Sequence, residues 1–207
     1  RYYGMRESRI FLMPMMVDNQ KYYKEMKKIP KVFTFLFVGR LINTKNVDLL
    51  CDKFILSFLG KNARLIIVGG GENLSSLKEK YSHSQIEFKG SVFGQELIQL
   101  YHTSSVFVFP SSLDAWGLVI NEAMSAGLAV ITTDKVGASY DLVRGKSTGM
   151  ISSNMDEFSN NMLEMYNNTN LLMQFSENAS RLMQDYWNYD LYNKCLKDVI
   201  KKVNKWT

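Results

Sequence analysis

Short apolar runs, each closed by glycine or proline and followed by a stretch of helical spacing, recur through the middle of this sequence and dictate its architecture. Residues 32–38 are β-branched and aromatic almost throughout and stop at Gly39-Arg40. Such a run reads as a strand buried on both faces. Asn46 then stands as a helix cap before Val47, Leu50, Phe54 and Ile55, apolar at helical spacing as far as Leu59. The unit repeats. Strands are expected at 64–68, 85–88, 105–109, 129–132 and 149–151, with helices at 74–81, 95–102, 117–126 and a short one ending at Arg144. Gly127 supplies a helix stop. Strands of four to seven residues alternating with helices predict a parallel sheet covered on both faces, and right-handed crossovers make it an α/β, Rossmann-like, doubly wound sheet of about six strands.

The flanks differ. Residues 1–31 show little periodicity and read as a connector with a short strand at 10–13, the end of a domain lying upstream. Residues 32–154 form the Rossmann-like unit. Residues 155–207 carry no strand signal and read as a tail of three helices, at 156–167, 171–185 and 191–204. The aromatic group Tyr186, Trp187, Tyr189 and Tyr192 falls at its last break. It either packs on the sheet domain or meets a second domain.

Composition removes several classes of function. A hydrophobic share of 46% against 22% charged residues gives 207 residues an ordinary core. No apolar run approaches the roughly 18 residues of a membrane span. The net charge of +5 is spread, with small clusters at 24–31 and 197–205, rather than gathered in a nucleic-acid-binding stripe. Cys51 and Cys195 are far apart, and only His83 and His102 accompany them, so neither a disulfide framework nor a metal site is expected. A reducing, cytoplasmic setting fits.

In an open parallel sheet, ligands bind beyond the carboxyl ends of the strands. That rule selects 39–45, 69–72, 89–92, 110–117 and 132–137. Gly39 permits close backbone approach, Arg40 can grip phosphate oxygens with two parallel bonds, and Lys45 adds a point charge. Both cations could equally be solvated surface charges. Gly69-Gly70-Gly71-Glu72 lacks the continuation of a dinucleotide fingerprint and has no phosphate-loop lysine, and the glycines could equally form a tight turn. The most informative block is 110–124. There Asp114 and Glu122 stand eight positions apart across a loop that enters a helix, with the amides of Gly117 and Leu118 at its start. Carboxylates accept hydrogen bonds from sugar hydroxyls, and amides at a helix start hold phosphate. The alternative is a capping aspartate and a surface glutamate.

These residues resemble the group 1 (family 4) retaining glycosyltransferases of the two-domain GT-B fold, specifically their C-terminal, donor-binding domain. The resemblance rests on Phe37-Val38-Gly39-Arg40, Lys45 to Leu50, Leu65 to Gly71, Phe107 to Ser111, and above all Asp114 and Glu122 followed by Ala123-Met124-Ser125-Ala126-Gly127. Gly137-Ala138, 145–149 and, upstream, Met13 to Asp18 add to it. It implies that Arg40 and Lys45 bind the donor diphosphate and that Glu122 bonds the ribose hydroxyls. Asp114 would meet the transferred sugar, beside the main-chain amides of Trp116, Gly117 and Leu118. Gly39, Gly70, Ser91 and Val92 would line the site, with the 89–92 loop by the base. On the same resemblance, Asp114, Glu122, Arg40 and Lys45 would form the catalytic set. No metal or cofactor is expected, because cationic side chains and helix ends stabilise the departing diphosphate.

The implied activity is sugar transfer from a UDP- or GDP-sugar to a sugar, lipid-linked or polysaccharide acceptor, in bacterial-type glycan synthesis. The acceptor would be held by an upstream domain, without which the chain would be inactive and through which it could meet the inner face of the membrane. Alternatives are a non-catalytic sugar-nucleotide-binding module needing a partner chain and a sugar-nucleotide epimerase. Three positions depart from the family pattern. Asp114 stands for glutamate, with a side chain about 1.5 Å shorter; Met15-Met16 replaces asparagine–glycine; and Asp141 stands where glutamate is usual.

Overall fold

The computed structural model describes residues 6, 9–24, 29–82 and 85–203. His83, the middle of the first lysine cluster and the end of the second lie outside them. Six parallel strands form one sheet: β1 (Phe33–Val38), β2 (Ala63–Val68), β3 (Ile86–Gly90), β4 (Val106–Phe109), β5 (Ala129–Thr133) and β6 (Gly149–Ser152). Their order is β3-β2-β1-β4-β5-β6. The chain thus leaves β1 in one direction and resumes beside it at β4, which opens a crevice between the carboxyl ends of those two strands.

The helices are α1 (Asn19–Tyr22), α2 (Val47–Phe58), α3 (Leu74–Lys80), α4 (Gly94–Thr103), α5 (Leu118–Ser125), α6 (Met155–Asn167), α7 (Thr169–Asp185) and α8 (Tyr189–Val203). Right-handed crossovers put α2 and α3 on one face and α4 and α5 on the other. The tail then divides: α6 packs on α2, while α7 packs on α5.

Burial explains why these runs became strands. Every residue of β1, β4 and β5 is buried, as expected of central strands covered on both faces. On the α2 side, Phe35 meets Phe58 with ring centroids 4.8 Å apart, and Phe58 meets Tyr166 of α6 at 5.5 Å. Near the carboxyl rim, Phe37 stacks on Phe109 at 5.8 Å, which gives the crevice an apolar floor.

Two local expectations are corrected. Residues 10–13 form no strand. Ile10, Leu12 and Met13 are exposed, and the Phe11 ring lies under the Lys202 ammonium of α8 rather than at a sheet edge. Asn46 does not cap α2 with its side chain. A 3-10 turn at Asn43–Lys45 carries Asn46 into the left-handed region at φ 52°, and its Nδ2 donates instead to the Pro110 carbonyl at 2.9 Å. Gly127 does stop α5: its N–H bonds the Met124 carbonyl and that of Leu128 bonds the Ala123 carbonyl.

Both cysteines are free. Burial, then the neighbouring Asp52 and Asp48 carboxylates, push the Cys51 thiol up to about 12. A thiol reagent at pH 8 is therefore expected to modify half-buried Cys195 in the native protein and Cys51 only after denaturation. Following release of the chromophore with and without guanidinium checks this.

Candidate functional site

The carboxyl rim is built by close packing of three strand-end loops. Past β1, the Leu41 N–H donates to the Gly70 carbonyl at 2.8 Å and the Gly39 N–H to the Val68 carbonyl at 3.0 Å. The glycine triplet makes this approach possible. A Cβ on Gly69 would overlap the Gly39 carbonyl oxygen, and one on Gly71 would lie 2.8 Å from the Leu41 nitrogen. Gly69 and Gly71 also hold φ of 143° and 149°, where side chains are strained. These glycines therefore shape the Gly39-Arg40-Leu41 loop. Gly70 faces Ser91 across the β2–β3 gap, since a Cβ there would come 2.9 Å from Ser91 Oγ.

Past β4, the Ser112 N–H and the Ser111 hydroxyl both donate to the Thr44 carbonyl, at 2.8 and 3.0 Å. The β1 and β4 loops are thus bonded across the crevice. Lys45 fills the gap beneath. Its Nζ lies 2.7 Å from Asp114 Oδ2 and 3.3 Å from Ser111 Oγ, above the Phe109 ring. The lysine side chain is 10% exposed and that of Asp114 22%, so a charge pair sits half-desolvated under the mouth of the sheet. Asp114 Oδ1 accepts the Trp116 N–H at 3.1 Å. The β5 loop braces this arrangement, with the Gly137 N–H on the Asp114 carbonyl and the Ala138 N–H on that of Trp116.

Gly117, at φ 90°, turns the loop into α5. A Cβ there would meet the Val136 side chain at 3.0 Å. No side chain caps α5, so the amides of Leu118 and Val119 open the helix toward the crevice with its positive dipole end. Arg40 is exposed on the facing loop, and no hydrogen bond or ion pair of its guanidinium is formed among the described residues.

Glu122 lies one turn further along α5 and is held differently. The Tyr22 hydroxyl donates to its Oε1 at 3.0 Å and the Tyr101 hydroxyl to its Oε2 at 2.8 Å. Burial first, then the Glu122 charge, push both phenols well above their ordinary range, so both stay protonated donors. The Asp114 loop is anchored to the tail as well. Trp116 stacks on Trp187 at 5.7 Å, its indole N–H donates to Asn121 Oδ1, and Asn121 Nδ2 and Trp187 Nε1 both donate to the Met15 carbonyl at 3.0 Å.

The expected residues therefore separate into groups. Gly39, Lys45, Asp114 and Gly117 gather about Phe109 at the β1/β4 crevice, with Arg40 and Leu118 on its rim. Gly70 and Ser91 adjoin along the β2 and β3 ends. Glu122 shares α5 with this rim, but its carboxylate bonds neither Lys45 nor Asp114 and is engaged by tyrosines instead. Two expectations change. The Val92 side chain is buried in the core, which leaves only its backbone for a ligand. The Trp116 amide is taken by Asp114, so the open amides begin at Gly117. Sequence reasoning does not single out Tyr22, Tyr101, Asn121 and Trp187 as site residues. Asn121 and Ser125, polar at i and i+4 on a buried helix face, are the only local signal. Of the aromatic group at the tail, Trp187 packs onto the site loop, whereas Tyr186 and Tyr189 stay exposed.

Comparison with known proteins shows the family. Residues 18–182 match the family described as glycosyl transferases group 1. Mannosylfructose-phosphate synthase of Agrobacterium fabrum is 29% identical over 153 residues, 63% of this chain and 34% of the relative. GDP-mannose-dependent alpha-mannosyltransferase of Mycobacterium tuberculosis is 35% identical over 115 residues, 56% of this chain and 29% of the relative. Among solved structures, sucrose-phosphate synthase of Thermosynechococcus elongatus superposes with a TM-score of 0.78 at 18% identity, covering 94% of this chain and 53% of that one. HepE of Anabaena, solved in complex with UDP, gives 0.76 at 18% identity, covering 89% and 55%. The chain spans about a third of the length of these two curated relatives. With the family matched across most of its length and the same Rossmann-like fold in the solved structures, the chain belongs to the group 1 glycosyltransferases.

Proposed function

We propose that the chain is the donor-binding part of a retaining glycosyltransferase that presents a UDP- or GDP-sugar for transfer to an acceptor in glycan or polysaccharide synthesis. The observation that carries this reading is the Lys45 ammonium, held between Asp114, Ser111 and the Phe109 ring at the β1/β4 switch point. Exposed Arg40, directly after β1, and the uncapped start of α5, after the β4 loop, belong to the same carboxyl rim. Three positive features thus share the rim on which a diphosphate would sit in this reading. As the bond from the anomeric carbon to the diphosphate oxygen breaks, negative charge grows on that oxygen, and these groups stabilise it without reorganising. In this reading no metal is called upon.

Asp114 faces the transferred sugar and exchanges part of its contact with Lys45 for sugar hydroxyls. Glu122 takes the ribose. The relatives named for GDP-mannose use and solved with UDP support a nucleotide-linked donor. In the same proposal the acceptor is held by a further domain, so residues 1–207 by themselves are expected to bind donor without transferring sugar. No helix among the described residues is long and apolar enough to cross a membrane, and a cytoplasmic setting is part of the same proposal.

Titration calorimetry with UDP, GDP and pyrophosphate tests the site. Arg40→Ala should weaken all binding ligands by about 1.5–3 kcal/mol, the scale of a charge-assisted hydrogen bond. Glu122→Ala should weaken the nucleotide and spare pyrophosphate. Unchanged affinity in the first variant would take Arg40 out of the site.

A further inference from the structure

Glu122 is more constrained than recognition of a passing ligand requires. A glutamate on the second turn of a helix ordinarily samples several rotamers, yet here each carboxylate oxygen accepts one tyrosine hydroxyl, Tyr22 on Oε1 and Tyr101 on Oε2. The two rings brace each other edge to face, with centroids 5.9 Å apart and planes at 84°. Neither can swing away easily. Tyr101 is fully buried, with its ring 6.0 Å from that of Phe107 in the sheet.

Tyr22 is fixed through its own backbone and through the helix that carries it. His102 Nε2 contacts the Tyr22 carbonyl at 2.7 Å. Three residues earlier, Asn19 Nδ2 donates to the Met183 and Trp187 carbonyls, and Asn19 Oδ1 accepts the Ser125 hydroxyl of α5. The carboxylate plane is thereby set from outside the loop that carries Asp114.

We propose that Tyr22 and Tyr101 are positioning residues that aim the Glu122 carboxylate at the two ribose hydroxyls of the bound nucleotide, an inference that rests on the donor-site reading above. A carboxylate oxygen offers two lone-pair directions. With one on each oxygen taken by a phenol, the other two stay available as a fixed pair, matched in number to vicinal hydroxyls. Holding the side chain in place before the ligand arrives removes an ordering cost from binding. Both phenols remain protonated because burial and the adjacent carboxylate raise them, so they act as donors throughout the physiological range. The competing account is that the hydroxyls only satisfy a half-buried carboxylate. They would then stabilise the fold without affecting which ligand binds.

The two accounts separate on ribose discrimination. The full 207-residue chain and its Tyr22→Phe and Tyr101→Phe variants would be titrated with UDP, GDP, their 2′-deoxy counterparts and pyrophosphate. The wild type is expected to prefer the ribonucleotide over its 2′-deoxy form by about tenfold, one hydrogen bond to a charged acceptor. Each variant should lose roughly threefold or more of that preference while keeping its pyrophosphate affinity. Variants that retain the full preference, even with a lowered melting temperature, would overturn the positioning role. A wild type that binds pyrophosphate and nucleotides but ignores the 2′-hydroxyl would overturn it as well and leave the diphosphate site standing. A wild type that binds no nucleotide would bring down the donor reading and this inference together. Should Tyr101→Phe not fold, Tyr22→Phe decides the matter alone, because its ring lies at the margin of the core.

Discussion

The Gly69→Ala protein is expected to melt roughly 10 °C below the wild type and to lose nucleotide affinity with it. Gly69 adopts φ 143°, a conformation that costs an alanine about 1–3 kcal/mol. Its new Cβ would overlap the Gly39 carbonyl oxygen and lie 2.9 Å from the carbonyl carbon, and both are backbone atoms that cannot rotate aside. Relief requires the β1 and β2 ends to separate, which strains the Gly39-to-Val68 and Leu41-to-Gly70 hydrogen bonds. Together these place the loss at about 3–4 kcal/mol, and a protein of this size shifts by about 2–4 °C for each kcal/mol. The affinity falls because the displaced loop is the one that carries Arg40. Gly60→Ala is the control. Gly60 has φ 75°, but an alanine methyl there would meet nothing within 4 Å, so only the left-handed cost of about 1–2 kcal/mol applies. Circular dichroism melts of the two variants side by side measure the difference. Equal, small shifts would mean that the strand-end loops are not packed as tightly as the geometry requires.

That comparison also marks where local sequence stops being informative. The strands were legible because β1, β4 and β5 are apolar on both faces and short, a pattern that only a covered parallel sheet accommodates. The glycine triplet was visible as a loop, but its partner was not, since the Gly39 carbonyl stands 30 positions earlier and nothing in 69–71 names it. Residues 10–13 show the converse error. Their apolar composition suits a strand, yet the sheet ends at β3 and β6, and the segment is left exposed beside α8. Asp114 and Lys45 could each be singled out from strand-end position, whereas their pairing spans 69 positions. Glu122 was recognisable by its spacing from Asp114. Its two phenol partners come from 21 and 100 positions away, one in an expected helix and one in the 1–31 connector, and no local pattern there marks either tyrosine.

The Lys45→Met protein is expected to bind UDP or GDP more weakly by about 1.5–3 kcal/mol, or roughly ten- to a hundredfold, because one charge-assisted contact to the diphosphate is gone. Methionine preserves most of the stem that lies over Phe109, so the core beneath is little disturbed. The fold still loses about 1–3 kcal/mol, because Asp114 keeps the Trp116 amide but loses its counter-ion in a half-buried position. Asp114→Asn separates the two roles of the pair. The asparagine oxygen can still accept the Trp116 N–H, while Lys45 is released from its carboxylate. A diphosphate arriving at that variant no longer competes with an internal anion. Sugar-free UDP should therefore bind Asp114→Asn at least as tightly as the wild type, while the preference for UDP-sugar over UDP falls. Opposite effects of Lys45→Met and Asp114→Asn on UDP affinity, measured by calorimetry at fixed ionic strength, would identify Lys45 as a ligand group held ready by Asp114. If both variants weaken UDP equally, the ion pair acts as a strut of the rim, and the positive charge that meets the diphosphate must come from Arg40 and the start of α5.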